Sequence, residues 1–139
     1  MTNSEIRRFT VPFNPRTKKN SMEIRKRRDG SRFVSPSGAY QRWESDVAEY
    51  LAALNRWQPP ITEPVNVKEV FYLPDGRRRD ALNLQEAIDD ALVKAGVIKD
   101  DCLSIVAGHE GSHAKIDHNS PRIEITITPA EEWQIFREV

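Results

Sequence analysis

The chain has 139 residues, 38% hydrophobic and 30% charged, and its 21 basic and 21 acidic side chains leave no net charge. That length suits one domain with a real core, and the composition excludes a disordered chain. With no apolar run near membrane-span length, no signal-peptide pattern after Met1, and Cys102 as the single cysteine, the expectation is a cytoplasmic protein with no membrane partner and no internal disulfide.

The neutral total hides an uneven distribution. Residues 1–32 carry ten Lys/Arg against three acids, a net of +7, so the remainder carries −7. A basic arm on an acidic body suits a surface that meets a polyanion and another that holds metal; a solvated basic hairpin is the plainer alternative.

In chain order, Arg8 to Phe13 alternates as a half-buried strand and stops at Asn14-Pro15. Met22–Arg25 and Ser31–Val34 flank Asp29-Gly30, which suits a hairpin turn. Tyr40, Trp43, Val47, Tyr50, Leu51 and Leu54 recur at helical spacing and predict a helix over 39–57, closed by Pro59-Pro60. Val65–Tyr72 reads as a strand leading to a turn at Pro74-Asp75-Gly76. A second helix runs from about Leu82 to Ala95, with Gly96 as its C′ residue. Its apolar stripe is Leu84, Ile88, Ala91, Leu92 and Ala95; Asn83, Glu86, Asp90 and Lys94 form a separate polar stripe.

Leu103–Ala107 and Arg122–Thr128 read as two further strands around a Gly-, His- and Ser-rich loop, and Glu131–Val139 as a short terminal helix. The expected class is α+β, a mixed sheet of about five strands with two main helices, in one domain over 1–139. Along it lie a basic arm (7–35), the helix 39–57, an acidic region (74–101) and C-terminal strands with a tail (103–139).

The informative segment is Arg77-Arg78-Arg79-Asp80-Ala81-Leu82-Asn83, with Asp100-Asp101 just past the end of the second helix. Arginines grip phosphate oxygens in forked pairs, and converging carboxylates hold Mg²⁺, which binds phosphate in turn. Together they point to phosphodiester chemistry. Each motif has a plainer reading. Asp80 also fits a helix cap, Asp100-Asp101 an exposed turn, and the three arginines a neutralising role. His109, His113 and His118, spaced by four and five, lack cysteines and a helical frame, so a mobile loop is favoured over a zinc site. Trp43, Trp57, Phe71 and Tyr72 read as core rather than base-stacking platforms.

The run Pro74 to Gln85, with Asp90-Ala91-Leu92 and Ala95 to Asp101, resembles the RusA family of Holliday junction resolvases. The similarity extends to Pro12, the Lys18-Lys19-Asn20-Ser21 segment, the Tyr40–Leu54 helix and the strand closing at Thr128. It implies a phage- or prophage-type endonuclease in a bacterial cytoplasm, a Mg²⁺-dependent homodimer acting on four-way DNA junctions. Asp80 matches the family's first aspartate, Asn83 its asparagine, Asp90 its helix aspartate, and Asp100 and Asp101 its acidic pair, the second a metal ligand. Asp80, Asp101 and Asp100 are therefore the implied catalytic residues, and Asp80 and Asp101 the implied metal ligands. Glu86 and Asp90 are further candidate ligands.

Two positions depart from the family pattern. Leu82 stands where a second catalytic aspartate belongs, and Glu86 where a lysine belongs. Glu86 restores a charge near Asp90, either as a ligand or as a solvated helix residue. The expected DNA-binding cations are Lys18, Lys19, Arg25, Lys26, Arg27, Arg28, Arg77, Arg78 and Arg79, making phosphate contacts that carry no sequence information. The alternative is a degenerate relative that binds branched DNA without cutting it. An acidic protein-interaction module fits the basic clusters poorly.

Overall fold

The computed structural model describes residues 6–18 and 22–139. The fold is α+β. Four segments build the main path of a mixed sheet, β1 (Arg7–Val11), β4 (Val65–Leu73), β5 (Val106–Gly108) and β7 (Arg122–Pro129), with the ribbon β2 (Met22–Lys26) and β3 (Arg32–Pro36) between β1 and β4 in the chain. The order is β1-β7-β4-β5, with β6 (His113–Ile116) as the fifth strand, also on β4. β7 lies antiparallel between β1 and β4, whereas β5 and β6 run parallel to β4 along its other edge.

Alternation decides which face is covered. Phe9, Val11, Val65, Val67, Phe71, Leu73, Ile123, Ile125 and Ile127 join Val47 and Leu51 of α1 (Gly38–Leu54) and Leu84, Ile88, Ala91 and Leu92 of α2 (Ala81–Lys94) in one core. Ser37 caps α1, its side chain accepting from the Tyr40 N–H, and Asp80 caps α2. Gly96, at φ 75°, turns the chain after α2 where a side chain would be strained.

The β2–β3 ribbon forms a separate two-stranded sheet. It pairs Ile24 with Val34, both exposed, and turns at Asp29-Gly30, where Asp29 Oδ1 accepts from the Ser31 N–H.

Several local expectations change. The first helix ends at Leu54, because Asn55 caps it and Arg56 and Trp57 take positive φ. Trp57 is consequently exposed rather than core. Residues Cys102 to Ile105 form a turn in which Ile105 and Val106 N–H both bond the Cys102 carbonyl, so the strand there begins only at Val106. The loop expected to be mobile contains β6, whose residues His113 to Ile116 pair with Val70 to Leu73. In the tail only Glu132–Gln134 forms a 3₁₀ turn.

Candidate active site and nucleic-acid surface

Helix α2 carries the implied catalytic carboxylates at its two ends. Asp80 is exposed, and its Oδ1 accepts from the Leu82 N–H at 2.9 Å, which leaves Oδ2 free of that bond. Leu82, 72% exposed, presents an apolar side chain in the first turn. Past the C-terminus, Asp100 Oδ1 accepts from the Asp101 N–H at 2.7 Å, so Asp100 shapes the turn that displays Asp101. Partial burial raises the Asp101 carboxyl above the usual carboxylate range, and the hydrogen bond and charge of Asp100, then the charge of Asp89, add to it.

Glu86 and Asp90 have different neighbours. Asp90 lies 3.3 Å from Lys18 Nζ, while Glu44 and Glu86 act on it electrostatically. Burial raises its carboxyl despite that lysine. Tyr40 is buried alongside, its hydroxyl 3.2 Å from Glu44, and burial followed by the Glu44 charge pushes its ionisation upward. Lys94 reaches Glu44 at 3.5 Å. The polar stripe of α2 therefore meets α1 and the segment at Lys18. Its cation and the Asp90 carboxylate satisfy each other.

The arginines divide by role. Arg79 is mostly covered, bonding Asp75 Oδ1 at 3.0 Å and the carbonyls of Asp75 and Arg77. Arg77 also reaches Asp75, from an open position. Arg78 has no acidic partner among the described residues. Together with Arg16, the three line a cleft of about 310 Å³ closed by Asn14, Pro15, Thr17 and Leu84. On the ribbon, Arg25 pairs with Glu23 and Arg27 stacks 4.5 Å over Phe33. Lys26 and Arg28 are exposed without an acidic partner among the described residues. Lys19, Asn20 and Ser21 lie outside the described residues.

A further group escaped the sequence reading. Glu69 of β4, Asp89 of α2 and His109 after β5 each place one ligand-type atom within 4.8 Å of the others, a set that can hold a metal ion. A signal was present in strand β4. Val65, Val67, Phe71 and Leu73 occupy its core-facing positions, and Glu69 breaks that apolar series. His109 stands 20 and 40 positions from its two partners, so no local spacing in the sequence joins the three.

This α+β fold joins a carboxylate-bearing helix to an arginine-lined cleft, a combination suited to phosphate esters. A family model for endodeoxyribonuclease RusA matches residues 12–128, and the chain belongs to that family. It is similar to the crossover junction endodeoxyribonuclease RusA of Enterobacteria phage 82, 35% identical over 93 residues, which cover 67% of this chain and 72% of the relative. It is also similar to the proteins of that name from Escherichia coli K12 and Shigella sonnei, 49% identical over 41 residues. Those 41 residues are 30% of this chain and span only 34% of the relatives' length. Among the described residues, no helix is long and apolar enough to cross a membrane.

Proposed function

We propose that the protein is a metal-dependent endonuclease that cuts four-way DNA junctions, working as a homodimer whose two sites meet opposing strands. The observation that carries this reading is the arginine-lined cleft of Arg16, Arg77, Arg78 and Arg79 beside Asp80, in a chain of the RusA family. A cleft of that lining binds phosphate oxygens through charge and forked hydrogen bonds. A four-way junction has approximate two-fold symmetry, which a symmetric dimer matches.

Asp80 and Asp101 lie at opposite ends of the 14-residue α2, about 21 Å in length, too far apart to hold one ion within a protomer. As ligands of Mg²⁺ they would have to meet across the proposed homodimer, with Asp100 holding the turn that presents Asp101. The donor set fits a hard cation: both ligands offer oxygen, and the Asp101 carboxyl is crowded by Asp100 and Asp89, a repulsion that positive charge relieves. When bound, Mg²⁺ supplies polarisation of the scissile phosphate and a more acidic water. Arg78 and Arg16 fix the phosphate in the cleft, and Lys26 and Arg28 hold a junction arm on the ribbon. Arg79 holds the turn before Asp80 in place.

A second reading, junction binding without cleavage, is favoured by Leu82. An exposed leucine in the first turn of α2 leaves the site one anionic ligand short of the family pattern. Incubating a synthetic four-way junction with the protein, in Mg²⁺ and in EDTA, tests both readings against a linear duplex control. Symmetric nicks that require Mg²⁺ support the endonuclease. Retarded but uncut junction in both buffers supports the binder.

A further inference from the structure

Glu69, Asp89 and His109 come from a strand, a helix and a loop, and the nuclease reading assigns them no task. Glu69 is fully buried on the core face of β4, level with Ile125 of β7. Asp89 is buried on α2, and its Oδ2 lies 2.6 Å from His109 Nε2. Among the described residues, neither Glu69 oxygen has a hydrogen-bond donor, nor has Asp89 Oδ1. Two carboxylates facing each other in a core cannot both stay ionised with nothing between them. Either a proton or a cation has to stand there.

The surrounding backbone is built to hold the histidine. β5 leaves β4 at Gly108, opposite Asn66, and β6 returns at His113, opposite Val70. Between them the loop is clamped by the Asn66 amide, which accepts from Glu110 N at 2.8 Å and donates to Glu110 O at 3.1 Å. Ser112 Oγ accepts from the Glu69 N–H at 2.9 Å, tying the loop to the strand residue beside it. Gly111, at φ 88°, packs against Lys68, where a Cβ would come within 3.2 Å of that side chain. The histidine is placed by tertiary structure rather than left on a free loop.

We propose that Glu69, Asp89 and His109 form a binding site for a divalent transition-metal ion, Mn²⁺ or Zn²⁺, with the remaining coordination positions taken by water. One imidazole nitrogen with two carboxylate oxygens selects these ions over Mg²⁺ and Ca²⁺, which prefer oxygen alone. The positive charge replaces the proton that burial otherwise favours on Glu69. The site stands independently of junction cleavage, although the Asp89 charge is felt at Asp101.

The test uses the full chain carrying Asp80→Asn and Asp101→Asn, which removes the other proposed ligands, after stripping with EDTA. Calorimetric titration with Mn²⁺ and with Zn²⁺ is expected to show one site per chain. Mn²⁺ electron spin-echo spectra are expected to show coupling to an imidazole nitrogen. Adding Glu69→Gln should weaken binding by more than about tenfold, and adding His109→Gln should also abolish the nitrogen coupling. Should the Glu69 variant fail to fold, the His109 variant, altered in a partly open loop, decides alone. Absence of binding, or binding that both substitutions leave unchanged, would overturn the proposal. In that event Glu69 is held neutral by its own proton.

Discussion

Arg79 is bound to Asp75, with its guanidinium 3.0 Å from Asp75 Oδ1, and it also donates to the Asp75 carbonyl at 3.1 Å. The third arginine of the run therefore closes the turn before α2, while its neighbour Arg78, proposed to contact DNA, has no acidic partner among the described residues. The two substitutions should separate. Arg79→Ala should lower stability by about 1 kcal/mol, from carbonyl acceptors left unpaired, read as a fall in Tm. Arg78→Ala should leave Tm unchanged and weaken junction binding at low salt. It should also reduce the slope of log K against log salt by about one contact, ~0.9. Equal effects of both variants on Tm and on binding would contradict this division.

Asp80 has two tasks that substitution can pull apart. Its Oδ1 caps α2 and its charge belongs to the proposed metal site. Asparagine caps as well as aspartate does, whereas alanine does not. Asp80→Asn should keep Tm within error and lose Mg²⁺-dependent cleavage. Asp80→Ala should lose cleavage and also about 1 kcal/mol of stability. A denaturant titration of the two variants beside a cleavage assay checks this. Retained cleavage by Asp80→Asn would remove Asp80 from the site.

Leu82 is the place where a gain of function is expected. A carboxylate there enters the first turn of α2, where the helix macrodipole favours negative charge. Leu82→Asp should raise the single-turnover cleavage rate at limiting Mg²⁺. If Glu86 already serves as ligand, the gain is small and Glu86→Ala abolishes cutting instead. No change in either variant would mean that neither position is near the metal.

Helix α2 was legible because apolar spacing, a capping aspartate and Gly96 all agree on its limits. Strand β7 was legible from alternation over eight residues, and β4 from a β-branched and aromatic run ending at Pro74-Asp75-Gly76. Strand β6 was not, because His113 to Ile116 are all exposed and gain their extended form from parallel pairing with distant Val70 to Leu73. Trp57 misled for a related reason. The helical spacing continues through it, but Asn55 stops the helix, held by Arg7 at 3.0 Å, a residue 48 positions away. In the site, the sequence placed Asp80 and Asp101 at the two ends of one helix. It gave no sign that Lys18 would pair with Asp90, or that Glu69, Asp89 and His109 would meet, since each contact joins elements remote in the chain.

Asp117 supplies a pH signature away from the site. Its carboxylate accepts from Arg122 at 2.9 Å and from the Asn119 and Ser120 N–H groups, contacts that hold its carboxyl below the usual range. A depressed folded pKa adds stability above the unfolded value of about 3.9 and loses it as pH falls through the folded value. Amide protection at Asn119 and Ser120 should therefore be constant from neutral pH down to about 4 and fall below it. Asp117→Asn should remove that acid dependence. Protection that declines already near neutral pH would show that another group controls the loop.

The central claim is that Asp101, just beyond α2, takes part in metal-dependent cutting of branched DNA. Single-turnover cleavage of a labelled four-way junction by wild type and by Asp101→Asn, in Mg²⁺, tests it most directly, with a gel-shift in EDTA confirming that both bind. The expected result is paired nicks by the wild type and a loss of at least about a hundredfold in rate for the variant, the size of effect seen when one charge-stabilising group is removed from an active site. Junction binding by the two should be equal. Cleavage by Asp101→Asn at the wild-type rate would contradict the account.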